Sequence, residues 1–204
     1  ALEAERAGAV LVGEDLGTLE PWVQNALQDM GVLGTTIIWF EHANEGPTPR
    51  PQDQYRHMAM SSVGTHDLPP TLAFLRGDHI ALRARLGLLT RPVAEEEAED
   101  RAWQEEVKDN LQAYGMLENR KNEEDVLVAL HRYVAGTPSA LTVTNVVDMV
   151  GDVRAQNQPG TTKDQYPNWC IPLCNTAGEP VLLEDLPKQE LYPVSYTHLT
   201  LPTT

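Results

Sequence analysis

Short apolar runs alternate along this chain with stretches whose apolar residues recur at helical spacing. Ala9, Val10, Leu11 and Val12 form a continuous apolar run, the pattern of a strand buried on both faces. Residues 2–7 before it read as the last turns of a helix. Thr18 is a candidate N-cap for a helix carrying Trp22, Val23, Ala26, Leu27 and Met30 on one face, and Gly31 offers a left-handed stop. Residues 35–40 are β-branched and aromatic, which predicts a second strand. A long loop rich in Pro, Gly and polar residues then runs from 42 to 54, and residues 58–63 predict a third strand.

Helical segments follow Pro69 and Pro70, with Gly77 and Gly87 as breaks. A longer helix is predicted after Pro92, with Trp103, Val107, Leu111 and Tyr114 on its apolar side. Asn122 is positioned to cap the next helix, whose stripe is Val126, Leu130, Tyr133 and Val134. Residues 140–143 predict a fourth strand, followed by Asp148 on a short turn or helix. The recurring unit is strand, polar loop, helix. Four parallel strands with aligned loops make half of an eight-stranded (β/α) barrel, an α/β fold with a helical insertion at about 70–136 between the third and fourth strands. The alternative is a self-contained doubly wound sheet, but no Gly-rich phosphate fingerprint follows any strand.

Composition narrows the function. The chain has 204 residues and a formal charge of −15, which argues against a phosphate backbone as partner and suits a neutral one. It lacks an apolar run long enough for a membrane span. Neither end reads as a secretory signal, so a cytoplasmic location is expected. Cys170 and Cys174 have the spacing of a short disulfide or half a metal site; without a second ligand pair nearby, reduced structural thiols are the expectation. The acids at 95–100 sit near a helix N-terminus and read as a solvated face complementing its dipole. Residues 194–203 resemble a translated sequencing adapter, so 1–193 is expected to be the folded part and 194–204 a non-native tail.

The chemistry concentrates at two acidic tips. Gly13-Glu14-Asp15-Leu16-Gly17 follows the first apolar run, and Gly64-Thr65-His66-Asp67 follows the third. Strand C-termini and their loops form the working face of a (β/α) barrel. Two carboxylates on such a face point to glycosidic-bond chemistry, whose oxocarbenium-like transition state needs proton transfer and nearby negative charge. His57, His79 and His131 have no partner pattern and read as surface or packing residues.

Four segments in order resemble the C-terminal catalytic half of the 4-α-glucanotransferase (amylomaltase, disproportionating enzyme) family of retaining barrel enzymes. They are residues 12–17, residues 34–40, Gly64-Thr65-His66-Asp67, and Asn157-Gln158-Pro159-Gly160-Thr161 with Asn168-Trp169. The resemblance spans about residues 1 to 190. It implies Glu14 as general acid/base and Asp67 as transition-state stabiliser, 53 positions later. It implies that His66 binds hydroxyls of the transferred sugar, with Asp15 and Asn157 as supporting or sugar-contacting groups. Trp39, at a strand end, is placed either to stack on a sugar ring or to pack in the core. The family's nucleophilic Asp belongs to an earlier strand with no counterpart here, so this chain alone is expected to be inactive and poorly soluble. The implied partners are α-1,4-glucans; no metal or organic cofactor is implied, and oligomeric state is left open. An α-amylase-type hydrolase using the same two acids, and a non-catalytic glucan-binding half-barrel, stand as alternatives.

Overall fold

A computed structural model describes residues 2–43 and 46–192; the expected non-native tail lies outside these residues. In chain order the elements are α1 (Leu2–Ala7), α2 (Pro21–Asp29), β1 (Gly34–Ile37), β2 (Ala59–Ser62), α3 (Thr71–Arg76), α4 (Asp78–Arg85), α5 (Val93–Ala113), α6 (Glu123–Ala135), β3 (Leu141–Val143) and α7 (Val146–Val150). Short 3-10 turns lie at Ile38–Phe40, Gln52–Gln54 and Leu183–Lys188. The fold is α/β: a small parallel sheet with helices.

β1, β2 and β3 pair in parallel and lie side by side in sequence order. The expected first strand is reduced to one bridge, Val12 to Leu33, on the outer side of β1. Gly13 N–H donates to the Leu33 carbonyl and Leu33 N–H to that of Leu11. This segment has one strand neighbour, and Val10 is 67% exposed rather than buried on both faces. From Val12 to β3 the spatial order nowhere reverses, so the described strands contain no topological switch point.

α2 also departs from the expectation. Pro21, with its preset φ, takes the first helical position after Glu20, displacing Thr18 as the cap. Val23, Ala26 and Leu27 are half-buried, whereas Trp22 and Met30 are exposed. Gly31, at φ 69, ends the helix as expected.

The strand period of two sorts side chains between the faces. Thr35, Met60, Ser62 and Val143 share one face through the registers Thr35 to Met60 and Ser62 to Val143. On the other, Thr36 and Ser61 bond through their hydroxyls, Ser61 continues to Ser139 at 2.6 Å, and Ser139 donates to the Arg56 carbonyl at 2.9 Å. This ladder gives both the Thr36 and the Ser61 hydroxyls a partner.

The apolar core forms where Ile37, Ile38, Trp39 and Val63 meet α5 and α6 through Val107, Leu111, Val126, Leu130, Tyr133 and Val134. The stripe expected of α6 is therefore buried, and Asn122 caps the helix by accepting from Glu124 N–H at 2.9 Å. The loop after β1 is tied to these helices. Tyr133 Oη donates to the Arg50 carbonyl at 2.7 Å, and Gln52 Nε2 to the Tyr133 carbonyl at 2.6 Å.

Three acids have structural partners that short-range pattern does not reveal. Asp148 is buried; it accepts from Thr71 N–H at 2.9 Å and Thr71 Oγ1 at 2.7 Å, and lies 3.1 Å from His131 Nε2. It thus anchors the start of α3, and His131 is a buried partner rather than an unpartnered packing residue. Asp100 departs from the solvated face expected of its neighbours: its side chain is 14% exposed, and it accepts from Gln104 Nε2 at 2.8 Å. Burial pushes its pKa up to about 6 against the Gln104 hydrogen bond.

Asp15 lies beneath the Val12 bridge and accepts from Arg56 Nη1 at 2.6 Å, Arg56 Nη2 at 3.2 Å and Thr35 N–H at 2.7 Å. Arg56 Nη2 also donates to the Thr35 carbonyl at 2.7 Å. Gly34 makes room for this pair, since a Cβ there would meet Arg56 Nη1 at 2.6 Å and Asp15 Oδ2 at 2.7 Å. Burial alone would raise the Asp15 pKa, but the Arg56 and Thr35 hydrogen bonds and the guanidinium charge outweigh it and hold the carboxyl below its usual range.

Asp15 and Asp100 therefore shape the pH dependence of stability in opposite senses. The Asp15 contribution is complete above the unfolded carboxylate pKa of about 4 and is lost as pH falls through its depressed folded value. Asp15→Asn is expected to cost about 1–3 kcal/mol near neutrality and to flatten the acid limb of the profile. Asp100 acts the other way: its folded state holds the proton, so stability is greatest below about pH 4 and falls as pH rises through about 6. Asp100→Asn should gain about 1–2 kcal/mol near neutrality and nothing in acid. Urea unfolding across pH measures both.

Candidate active site

At the carboxyl end of the sheet, one face opens into a cavity of about 490 Å³. Its floor is the strand row Thr35, Met60, Ser62 and Val143, together with Val12. Its rim comes from the segments that leave the strands: Glu14 after the Val12 bridge, residues 64–68 after β2, and Asn145 after β3. Gln156 closes another side.

Glu14 and Asp15 are neighbours with opposite destinations. The brace of Asp15 to Arg56 and Thr35 buries one carboxylate, while the exposed Glu14 lines the cavity. Of the two roles expected of Asp15, supporting or sugar-contacting, its burial against Arg56 and its absence from the cavity lining favour the supporting one.

Asp67 reaches the same cavity as Glu14 from the loop after β2. Ser62 Oγ donates to the Gly64 carbonyl at 2.9 Å, and Asp67 N–H to Thr65 Oγ1 at 3.2 Å, which shapes that loop. Asn157 Nδ2 donates to Asp67 Oδ1 at 2.6 Å, and His66 Nε2 lies 3.6 Å from the same oxygen. His66 lines the cavity, with its side chain 57% exposed. Asn157 thus meets the site through Asp67 and fixes that carboxylate's orientation.

The segment carrying Asn157 is held by Asn168. Its Oδ1 accepts from Gln158 N–H at 2.7 Å, and its Nδ2 donates to Thr161 Oγ1 at 2.9 Å. Tyr166 Oη donates to the Ala155 carbonyl at 2.7 Å. Trp169 follows, its N–H bonded to the Gln156 carbonyl at 2.8 Å and its ring centroid 5.1 Å from that of His66. Asn145, Gln156 and Trp169 were not given site roles from the sequence. Asn168 and Trp169 stood in a recognised motif, but only the folded segment puts them against Gln156 and His66.

Trp39 lies elsewhere. The 3-10 turn Ile38–Phe40 swings its ring into the core, where it stacks on Phe74 at 4.2 Å and is 5% exposed. It lines a second cavity with His42, Gly46, Pro47 and Trp103 rather than the Glu14 cavity, which favours the packing alternative. The described part of the 42–54 loop faces that second cavity and α6, not Glu14 and Asp67.

Among the described residues no group of three or more His, Cys, Asp or Glu is arranged to hold a metal ion, and no helix is long and apolar enough to cross a membrane. Cys170 and Cys174 are free, the first exposed and the second buried.

Residues 1–176 match the family model described as 4-alpha-glucanotransferase. The chain is 51% identical over 195 residues to the 4-alpha-glucanotransferase of Mycobacterium tuberculosis, an alignment covering 91% of this chain and 26% of that protein. Against the 4-alpha-glucanotransferase of Haemophilus influenzae the identity is 26% over 179 residues, covering 83% of this chain and 25% of that one. The crystal structure of amylomaltase from Corynebacterium glutamicum superposes with a TM-score of 0.90 at 52% identity, over 97% of this chain and 30% of that one. Amylomaltase from Streptococcus agalactiae, solved in complex with acarbose, gives a TM-score of 0.60 at 18% identity over 97% of this chain and 32% of that one, a likeness of fold alone. The chain thus spans about a quarter of the length of the curated relatives it matches. Matched by the family model over most of its length and sharing half its residues with the mycobacterial relative, the chain belongs to the 4-alpha-glucanotransferase family.

Proposed function

We propose that this chain is part of a 4-α-glucanotransferase, in which it supplies the acid/base and the stabilising carboxylate of a retaining transfer between α-1,4-glucans. The observation that carries the reading is the convergence of Glu14 and Asp67 on one cavity at the carboxyl ends of adjacent parallel strand segments. The unreversed strand order supports taking the sheet as an arc of a (β/α) barrel with α3 to α6 inserted between β2 and β3. The two free cysteines fit a reducing compartment such as the cytoplasm.

In this reading a carboxylate from outside these 204 residues attacks the anomeric carbon of the donor glucan. The bond to the departing O4 breaks, and Glu14 passes its proton to that oxygen. Asp67, oriented by Asn157, binds hydroxyls of the distorted ring and offsets the positive charge that develops on it. Glu14 then removes the proton from the 4-hydroxyl of an incoming glucan, whose oxygen displaces the enzyme carboxylate from the anomeric carbon. His66, half exposed beside Asp67, is placed to donate to a hydroxyl of the transferred sugar.

Substitution in the whole enzyme tests these roles. With maltotriose as donor and acceptor, the wild type should yield glucose together with both longer and shorter glucans. Glu14→Gln and Asp67→Asn should each lower kcat by about a hundredfold or more. Products that are only shorter than the donor would point to hydrolysis, and near wild-type transfer by either variant would remove the assignment.

A further inference from the structure

Trp169 combines two unusual properties beside His66 of the Glu14 cavity. It is the non-glycine residue at positive φ, 61°, among the described residues. A bulky side chain in that conformation costs about 1–2 kcal/mol, and such strain gathers at functional sites. Its indole is also 62% exposed, although the chain bends sharply to present it. Three local bonds hold the bend: Trp169 N–H to the Gln156 carbonyl at 2.8 Å, Cys170 N–H to the Pro167 carbonyl at 3.1 Å, and Asn168 N–H to the Tyr166 carbonyl at 2.8 Å. The framework therefore spends strain to keep an apolar ring in contact with water, beside His66.

An independent observation lies on the cavity wall next to it. Gln156 lines the cavity, and its Nε2 is buried without a hydrogen-bond partner. A buried donor left unmade is costly, typically about 1–3 kcal/mol; Nε2 is sealed from solvent as it stands, so a turn of the amide toward a ligand acceptor in the cavity would recover the loss. The backbone bond from Trp169 to Gln156 places the flat apolar ring and the unmet amide on one support. A pyranose has matching chemistry: a face of C–H groups that lies well on an aromatic π surface, and a rim of hydroxyls that accept hydrogen bonds. Asn157 and His66 join this support to Asp67, which the reading above assigns to the ring undergoing transfer.

We propose that Trp169 and Gln156 form a subsite for a glucose residue adjacent to the one gripped by Asp67, with Trp169 stacking on the sugar face and the Gln156 amide donating to a hydroxyl. This rests on the glucan-transfer reading and deepens it. The left-handed backbone at Trp169 is what turns the ring out to the sugar.

The test uses the whole enzyme with maltotetraose. Trp169→Leu should raise KM and weaken maltotetraose binding, measured by titration calorimetry, about tenfold, which is about 1.4 kcal/mol, while kcat falls much less. Trp169→Phe should restore most of the binding, and Gln156→Leu should weaken it by a smaller factor with the same KM-dominated signature. Unchanged KM and binding in Trp169→Leu would overturn the subsite. So would equal defects in Trp169→Leu and Trp169→Phe accompanied by a lowered melting temperature, or failure of Trp169→Leu to fold, because either marks a structural role. Wild-type transfer with unaltered Trp169→Leu binding removes this inference alone, whereas absence of transfer in the wild type removes the functional reading beneath it.

Discussion

The bond network of Asp15 with Arg56 and Thr35 determines how the first acidic segment meets the sheet. The segment at 11–13 touches β1 through a single bridge and a few backbone bonds, too little to fix the direction of the residues that follow. A buried carboxylate held by a guanidinium and a backbone N–H supplies what the ladder lacks. Because Asp15 is committed inward, its neighbour Glu14 is left on the cavity side, and Gly34 is small because the ion pair passes over it. A charge that does not itself line the cavity thus positions the one that does.

The second acid is held by a different device. Asp67 sits on an open loop, and its orientation depends on Asn157, a residue 90 positions away. Asn157 in turn depends on Asn168 bridging Gln158 and Thr161. Behind the same loop, Asp148 binds the start of α3 while pairing with His131 of α6, so the helices between β2 and β3 bear on where the loop ends. The cavity is therefore a meeting point of segments spread over most of the chain, with its floor supplied by alternating strand residues. This explains why its chemistry resides in polar loops while its apolar core lies further along, against α5 and α6.

Local features of the fold were legible in the sequence. The stripe and Asn122 cap of α6, the break at Gly77 and the stop at Gly31 follow from propensity and backbone sterics within a turn or two. The parallel order and the placing of Glu14 and Asp67 on one cavity could be reached because both acids end apolar runs of strand character. What escaped is what depends on distant partners. Nothing beside Asp15 announces Arg56, 41 residues on, and nothing beside Asp148 announces His131 and Thr71. Trp39 was ambiguous because a strand end and a 3-10 turn give its ring opposite destinations, and only the second packs it on Phe74. The Val12 segment read as a buried strand because hydrophobicity reports apolar character, not the number of neighbours available to cover it.

Asp15 and Asn157 hold Glu14 and Asp67 at one cavity, and a crystal structure of the whole enzyme with a bound maltooligosaccharide tests the proposal that both acids meet a single sugar. The expected result has Glu14 within hydrogen-bonding reach of a glycosidic oxygen and Asp67 bonded to hydroxyls of the glucose ring beside that bond. A glucan seated elsewhere, or one that meets only one of the two acids, would contradict it.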